Sequence, residues 1–153
     1  MTAPPVLIFA WGNPSRGDDA LGPLFAEHIE ALSLPGVECL TDFQLQVEHA
    51  LDLRGRERVL FVDASREAPA PFQVRQIQAR RDASFTSHAM TPEAVLQAYR
   101  DVEGREAPPA WVLAIRGEHW ELGQEPGVTA LAYMSEALAW AMDWLRANSV
   151  TTR

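Results

Sequence analysis

The chain has 153 residues with 13 basic and 21 acidic side chains, a formal charge of −8, and 47% hydrophobic residues. That size and balance suit one domain with its own core, which would bury roughly 70% of the surface its unfolded form exposes. All of the Lys+Arg count is arginine and none of it forms a basic stripe, so nucleic acid and anionic lipid are excluded as expected partners.

The opening Met1–Pro5 has no basic segment leading into an apolar one, so no export signal is read there. Val6–Trp11 is a short apolar run stopped by Gly12-Asn13-Pro14, the pattern of a strand buried on both faces. Leu21, Leu24, Phe25, His28, Ile29 and Leu32 then recur at steps of a helix, with His28 on the inward stripe, and Pro35-Gly36 ends it. Val37–Thr41 reads as a second strand, with the chain's single cysteine, Cys39, as a buried structural thiol that suits a reducing, cytoplasmic setting. Val47–Leu53 reads as a short helix and Arg58–Asp63 as a third, almost wholly apolar strand.

Beyond the Ala- and Pro-rich stretch from Ala64 to Pro71, Phe72–Ile77 alternates apolar with polar, as an edge strand does, antiparallel to the rest. Thr91-Pro92 starts a helix to about Val102, with Thr91 capping it and Pro92 in its first turn. Trp111–Arg116 is the last strand, Gly117–Gly127 a polar loop, and Val128–Arg146 a long helix with Leu131, Met134, Leu138, Met142 and Leu145 inward. No run approaches the ~20 apolar residues of a membrane span. Alternating strands and helices predict a three-layer α/β domain over residues 1–153, a mainly parallel twisted sheet of about five strands with helices on both faces.

Such sheets bind ligands beyond the carboxyl ends of their strands. Three positions there can do chemistry. The glycine-punctuated loop after the first strand delivers Asp18 and Asp19 to a helix start, the third strand ends in Asp63, and the loop before Thr91 carries His88. One of the adjacent acids is expected to cap the helix, leaving the other free. Carboxylate oxygens and an imidazole nitrogen gathered at one edge suit a divalent transition metal. Asp42, just past the second strand, is a secondary candidate. His49 and His119 have no partner at ligand spacing, and Trp120 either lines a binding surface or anchors its loop. Walker, Gly-x-Gly-x-x-Gly, Gly-x-Ser-x-Gly and His-Glu-x-x-His patterns are all absent.

Gly12-Asn13 after an apolar strand, Asp18-Asp19-x-x-Gly22, Val62-Asp63-Ala64, Ser87-His88 and Ile115-Arg-Gly-Glu118 occur in an order and spacing that resembles the hydrogenase maturation endopeptidases. The resemblance implies a protease that removes a C-terminal extension from the large-subunit precursor of a nickel–iron hydrogenase after nickel insertion. It implies that Asp19, Asp63 and His88 meet the nickel, which the precursor itself supplies. In such a site the metal would select the loaded precursor, and a water would attack with a carboxylate as base, Asp42 assisting. Two other functions share these residues: a zinc hydrolase that carries its own ion, and a nickel-delivery or chaperone module that cuts nothing.

Overall fold

In the computed structural model, which describes residues 3–81 and 90–151, five strands form one sheet. They are β1 (Val6–Trp11), β2 (Val37–Asp42), β3 (Arg58–Ser65), β4 (Phe72–Ile77) and β5 (Ala110–Arg116), in the spatial order β2-β1-β3-β5-β4. β1 pairs in parallel with β2 and β3, β3 pairs in parallel with β5, and only β4 runs antiparallel. Helices α1 (Leu21–Glu30) and α2 (Pro92–Glu103) connect strands and α3 (Val128–Thr151) follows the last one, together with 3-10 segments at Gly17–Ala20 and Val47–Leu53.

The central strands β1, β3 and β5 are almost wholly apolar because both of their faces are covered. On one face, Ile8, Ala10, Leu60, Val62, Leu113 and Ile115 pack against Phe25 and Ile29 of α1 and Met134, Ala137 and Ala141 of α3. On the other, Leu7, Phe9, Val59 and Phe61 meet Leu45 and Leu53 around the Val47–Leu53 segment and Val95, Leu96 and Tyr99 of α2. Successive residues of one strand thus feed two separate cores.

α2 is bounded as its sequence predicts. The Thr91 side chain accepts a hydrogen bond from the Ala94 N–H at 3.1 Å, and Gly104 closes the helix at φ 69°. β4 lies at an edge, with Arg75 paired to Glu93 at 2.7 Å, and the opposite edge, β2, carries Glu38 paired to Arg56 at 2.6 Å. Among the described residues no helix is long and apolar enough to cross a membrane.

Four inward assignments are corrected. His28 is exposed because the buried stripe of α1 runs through Phe25, Ala26 and Ile29, and Leu32 is exposed because the helix has already ended at Glu30. The buried line of α3 runs through Ala130, Met134, Ala137, Ala141, Trp144 and Leu145, and leaves Leu131 37% exposed. Cys39 is half-buried, because β2 is an edge strand; burial and then the neighbouring Glu30 and Glu38 push its thiol up to about 11.

Close approach of α1 to β1 depends on Gly22. A Cβ there would stand 2.5 Å from the Trp11 carbonyl oxygen, backbone that cannot move without shifting the strand. Gly22→Ala is expected to lower the melting temperature by about 5 °C or more, measured by calorimetry; an unchanged transition would refute this packing.

Candidate active site

The strand register sets the carboxyl edge of the sheet. Trp11 at the end of β1 pairs with Asp42 of β2, and since Ala10 pairs with Val62, the next step along brings Trp11 level with Asp63 of β3. The Trp11 ring meets Phe61 of β3 edge-on, with centroids 6.2 Å apart, so the aromatic side chain lies on the β3 side of this row, where its indole N–H works against the rise in the Asp63 carboxyl.

Asp19 is carried to the same edge by a tightly determined turn. Gly12 has φ 150°, a conformation that favours glycine, and a Cβ on it would collide with the Asp19 carbonyl oxygen. The Asn13 N–H donates to Asp19 Oδ2 at 2.7 Å, the Asn13 side chain accepts from the Ser15 N–H at 2.8 Å, and the Asp19 N–H donates to the Arg16 carbonyl at 3.0 Å. Burial raises the Asp63 carboxyl, the Asp19 charge raises it further, and donation from the Ala64 N–H and the Trp11 indole only partly offsets this. The group is pushed up to about 7. The structure therefore brings Asp19 and Asp63 together, close enough for one carboxylate to resist the ionisation of the other.

Neither adjacent acid caps α1, which begins at Leu21 without a side-chain cap. Asp18 instead points away from the helix and is completely buried (0% exposed). Its Oδ2 accepts from the N–H groups of Glu118 at 2.7 Å and His119 at 3.0 Å, and its Oδ1 from Gly127 at 2.8 Å. Burial by itself would raise this carboxyl, but the three backbone donors and the His119 ring outweigh it and hold the group below the usual carboxylate range. Only glycine fits against this bond network at Gly117, where a Cβ would lie 2.9 Å from Asp18 Cβ and 3.0 Å from the Trp120 ring. Trp120 is thus a packed indole.

Asp42 is exposed but held. Its Oδ1 accepts from the Phe43 N–H at 2.7 Å and its Oδ2 lies 3.0 Å from His49 Nε2. The His49 Nδ1 accepts from the Gln46 N–H at 2.8 Å, so in the neutral ring the proton sits on Nε2 and is donated to Asp42. This dyad is missed in the sequence; spacing of seven residues across a strand end and a 3-10 turn carries no periodic signal. His88 lies outside the described residues, and among the described residues no three His, Cys, Asp or Glu side chains gather as a metal cluster.

No protein-family model and no curated protein sequence matches the chain. Solved structures do. The hydrogenase maturating endopeptidase HybD from E. coli is 21% identical, with 97% of this chain and 94% of that one aligned at a TM-score of 0.72. The [NiFe] hydrogenase maturation protease HycI from Thermococcus kodakarensis KOD1 is 19% identical over 94% of this chain and 93% of its own, at 0.71. The hydrogenase 2 maturation peptidase from Thaumarchaeota archaeon SCGC_AB-539-E09 is 20% identical over 92% and 97%, at 0.67. At these identities the likeness establishes a shared α/β fold along nearly the whole chain.

Two outcomes follow from the carboxylates. Burial pushes the Asp63 carboxyl up to about 7 in the folded chain from ~3.9 in the unfolded one, so its ionisation costs stability progressively as pH rises from about 4 through 7. Asp63→Asn is expected to exceed the wild type in stability by up to about 2 kcal/mol at pH 8 and to match it near pH 4; denaturant titrations at both pH values check this, and equal stability at pH 8 would contradict it. Asp18→Asn is expected to lose about 3 kcal/mol, since an amide NH2 would face backbone donors, and to perturb the amide resonances of Glu118, His119 and Gly127.

Proposed function

We propose that this protein is an endopeptidase that removes the C-terminal extension of a nickel–iron hydrogenase large-subunit precursor once nickel is in place. The observation that carries this reading is the pair Asp19 and Asp63 at the carboxyl edge, one carboxyl displaced upward by its burial and by the charge of the other. A cation arriving between them would relieve that repulsion. The likeness of the whole chain to structures named as hydrogenase maturation proteases supports the same reading.

Nickel accepts carboxylate and imidazole donors. Asp19 and Asp63 would supply two oxygens, and His88, three residues before the Thr91 cap of α2, a nitrogen. The ion belongs to the substrate, and only a loaded precursor presents it. Recognition of the ion seats the scissile peptide beside a carboxylate that exchanges its proton near neutrality. A water then forms the new C–O bond, the peptide C–N bond breaks, and the proton taken from water passes to the departing amine. The chain's single cysteine, Cys39, whose thiol is pushed up to about 11, suits a reducing cytoplasmic setting.

Incubation of the nickel-loaded precursor with the protein, followed by intact-mass measurement, is expected to show loss of a C-terminal fragment. Asp19→Asn, Asp63→Asn and His88→Ala should each reduce the rate by at least about a hundredfold while remaining folded, and normal trimming by any one removes that residue from the site. Stoichiometric zinc in the purified protein, or precursor binding without shortening, would replace this reading. Because protonated Asp63 cannot serve as an anionic ligand or base, kcat/KM is expected to fall as pH drops below about 7.

A further inference from the structure

At the carboxyl ends of β1, β3 and β5 lies a cleft of about 470 Å³ whose wall includes Arg16, Arg66, Glu118, His119, Trp120 and Glu121. Its two arginines are placed by the same turns that place the acids: Arg16 stands three residues before Asp19, and Arg66 three residues after Asp63. Their backbones are held. Arg16 donates its N–H to the Asn13 carbonyl at 3.1 Å and accepts from the Asp19 N–H, while the turn that carries Arg66 is closed by the Ser65 hydroxyl, which accepts from the N–H groups of Glu67 at 3.1 Å and Ala68 at 3.0 Å. The Arg66 guanidinium lies over the Trp120 ring, 4.7 Å from its centroid, and that ring is itself seated on Gly117.

Most arginines of this acidic chain are committed to carboxylates: Arg54, Arg56, Arg75, Arg81, Arg100, Arg116 and Arg146 all form ion pairs. Among the described residues Arg16 and Arg66 form none, although Glu118 and Glu121 share their cleft and Glu118 lies 3.9 Å from Arg116. A guanidinium whose plane rests on an indole keeps its edge donors available for a carboxylate. Two acids on the same wall disfavour free inorganic anions and suit a peptide, which offers backbone N–H groups along with a carboxylate.

We propose that this cleft is a specificity subsite in which Arg16 and Arg66 receive a carboxylate of the precursor's C-terminal extension. The inference rests on the endopeptidase reading and adds the chemistry of the segment that is bound. In it the two arginines bind and orient substrate, taking no part in the bond-breaking step.

The test is steady-state cleavage of the nickel-loaded precursor by the wild type, Arg16→Gln, Arg66→Gln and Arg105→Gln, the last on a loop at the opposite end of β5. Arg16→Gln and Arg66→Gln are expected to raise KM at least about tenfold with kcat within about twofold, Arg66→Lys to recover part of the loss, and Arg105→Gln to leave both constants unchanged. A precursor whose extension carries Asn and Gln in place of its Asp and Glu, and one with an amidated terminus, locate the carboxylate: one of them raises the wild-type KM to the level of the arginine variants, and the variants then lose nothing further. Normal KM in both arginine variants beside an active wild type would overturn the subsite and leave the endopeptidase reading intact. A wild type that trims no precursor overturns both.

Discussion

The buried Asp18 carboxylate is the constraint on which the site depends. β1 and β5 are separated in the sheet by β3, yet Asp18, from the turn after β1, binds three N–H groups of the loop after β5. The tie therefore spans the end of β3, where Asp63 emerges. An ionised carboxylate sealed from water is tolerated only when its oxygens are satisfied, and here backbone donors meet that need without any cation. Glycines admit the two loops to contact: a side chain at Gly17 would collide with the His119 carbonyl, and one at Gly117 with Asp18 itself.

Two neighbouring acids of one turn thus end in opposite electrostatic circumstances. Asp18 is surrounded by donors and is kept anionic, whereas Asp19 faces Asp63, and Asp63 answers by holding its proton to higher pH. The first arrangement is complete in itself. The second is unfinished, a concentration of negative charge at a strand edge that a positive centre would balance, and it is sustained only because the Asp18 tie and the Gly12 turn leave the carboxylates little room to separate. Stability has been given up at this point, as is common where a protein must meet a ligand.

The succession of strands and helices, the antiparallel edge and the cap of α2 were all legible because they rest on local signals: apolar runs, alternation and the Thr-Pro start. The addresses of Asp19, Asp42 and Asp63 followed from the rule that parallel strands present their carboxyl ends to ligands. What escaped was long-range. The partners of Asp18 lie about a hundred residues away in the chain, and nothing at Asp18 distinguishes a carboxylate that caps a helix from one that clamps a distant loop. The Asp42–His49 pair was hidden for a related reason, since a 3-10 turn sets its geometry. Inward assignments failed at Leu32, where a helix ended early, and at Leu131, where the buried face runs through Ala130, Met134, Ala137 and Ala141 instead.

Among the described residues the sheet has five strands, and its margins are guarded. Each outer strand exposes unpaired backbone groups that could recruit a strand from another molecule. On one side the charged Arg75 occupies the outermost strand and is engaged by Glu93; on the other Glu38 is engaged by Arg56. A foreign strand docking on either border would have to displace or desolvate an ion pair, which discourages self-association into extended sheets.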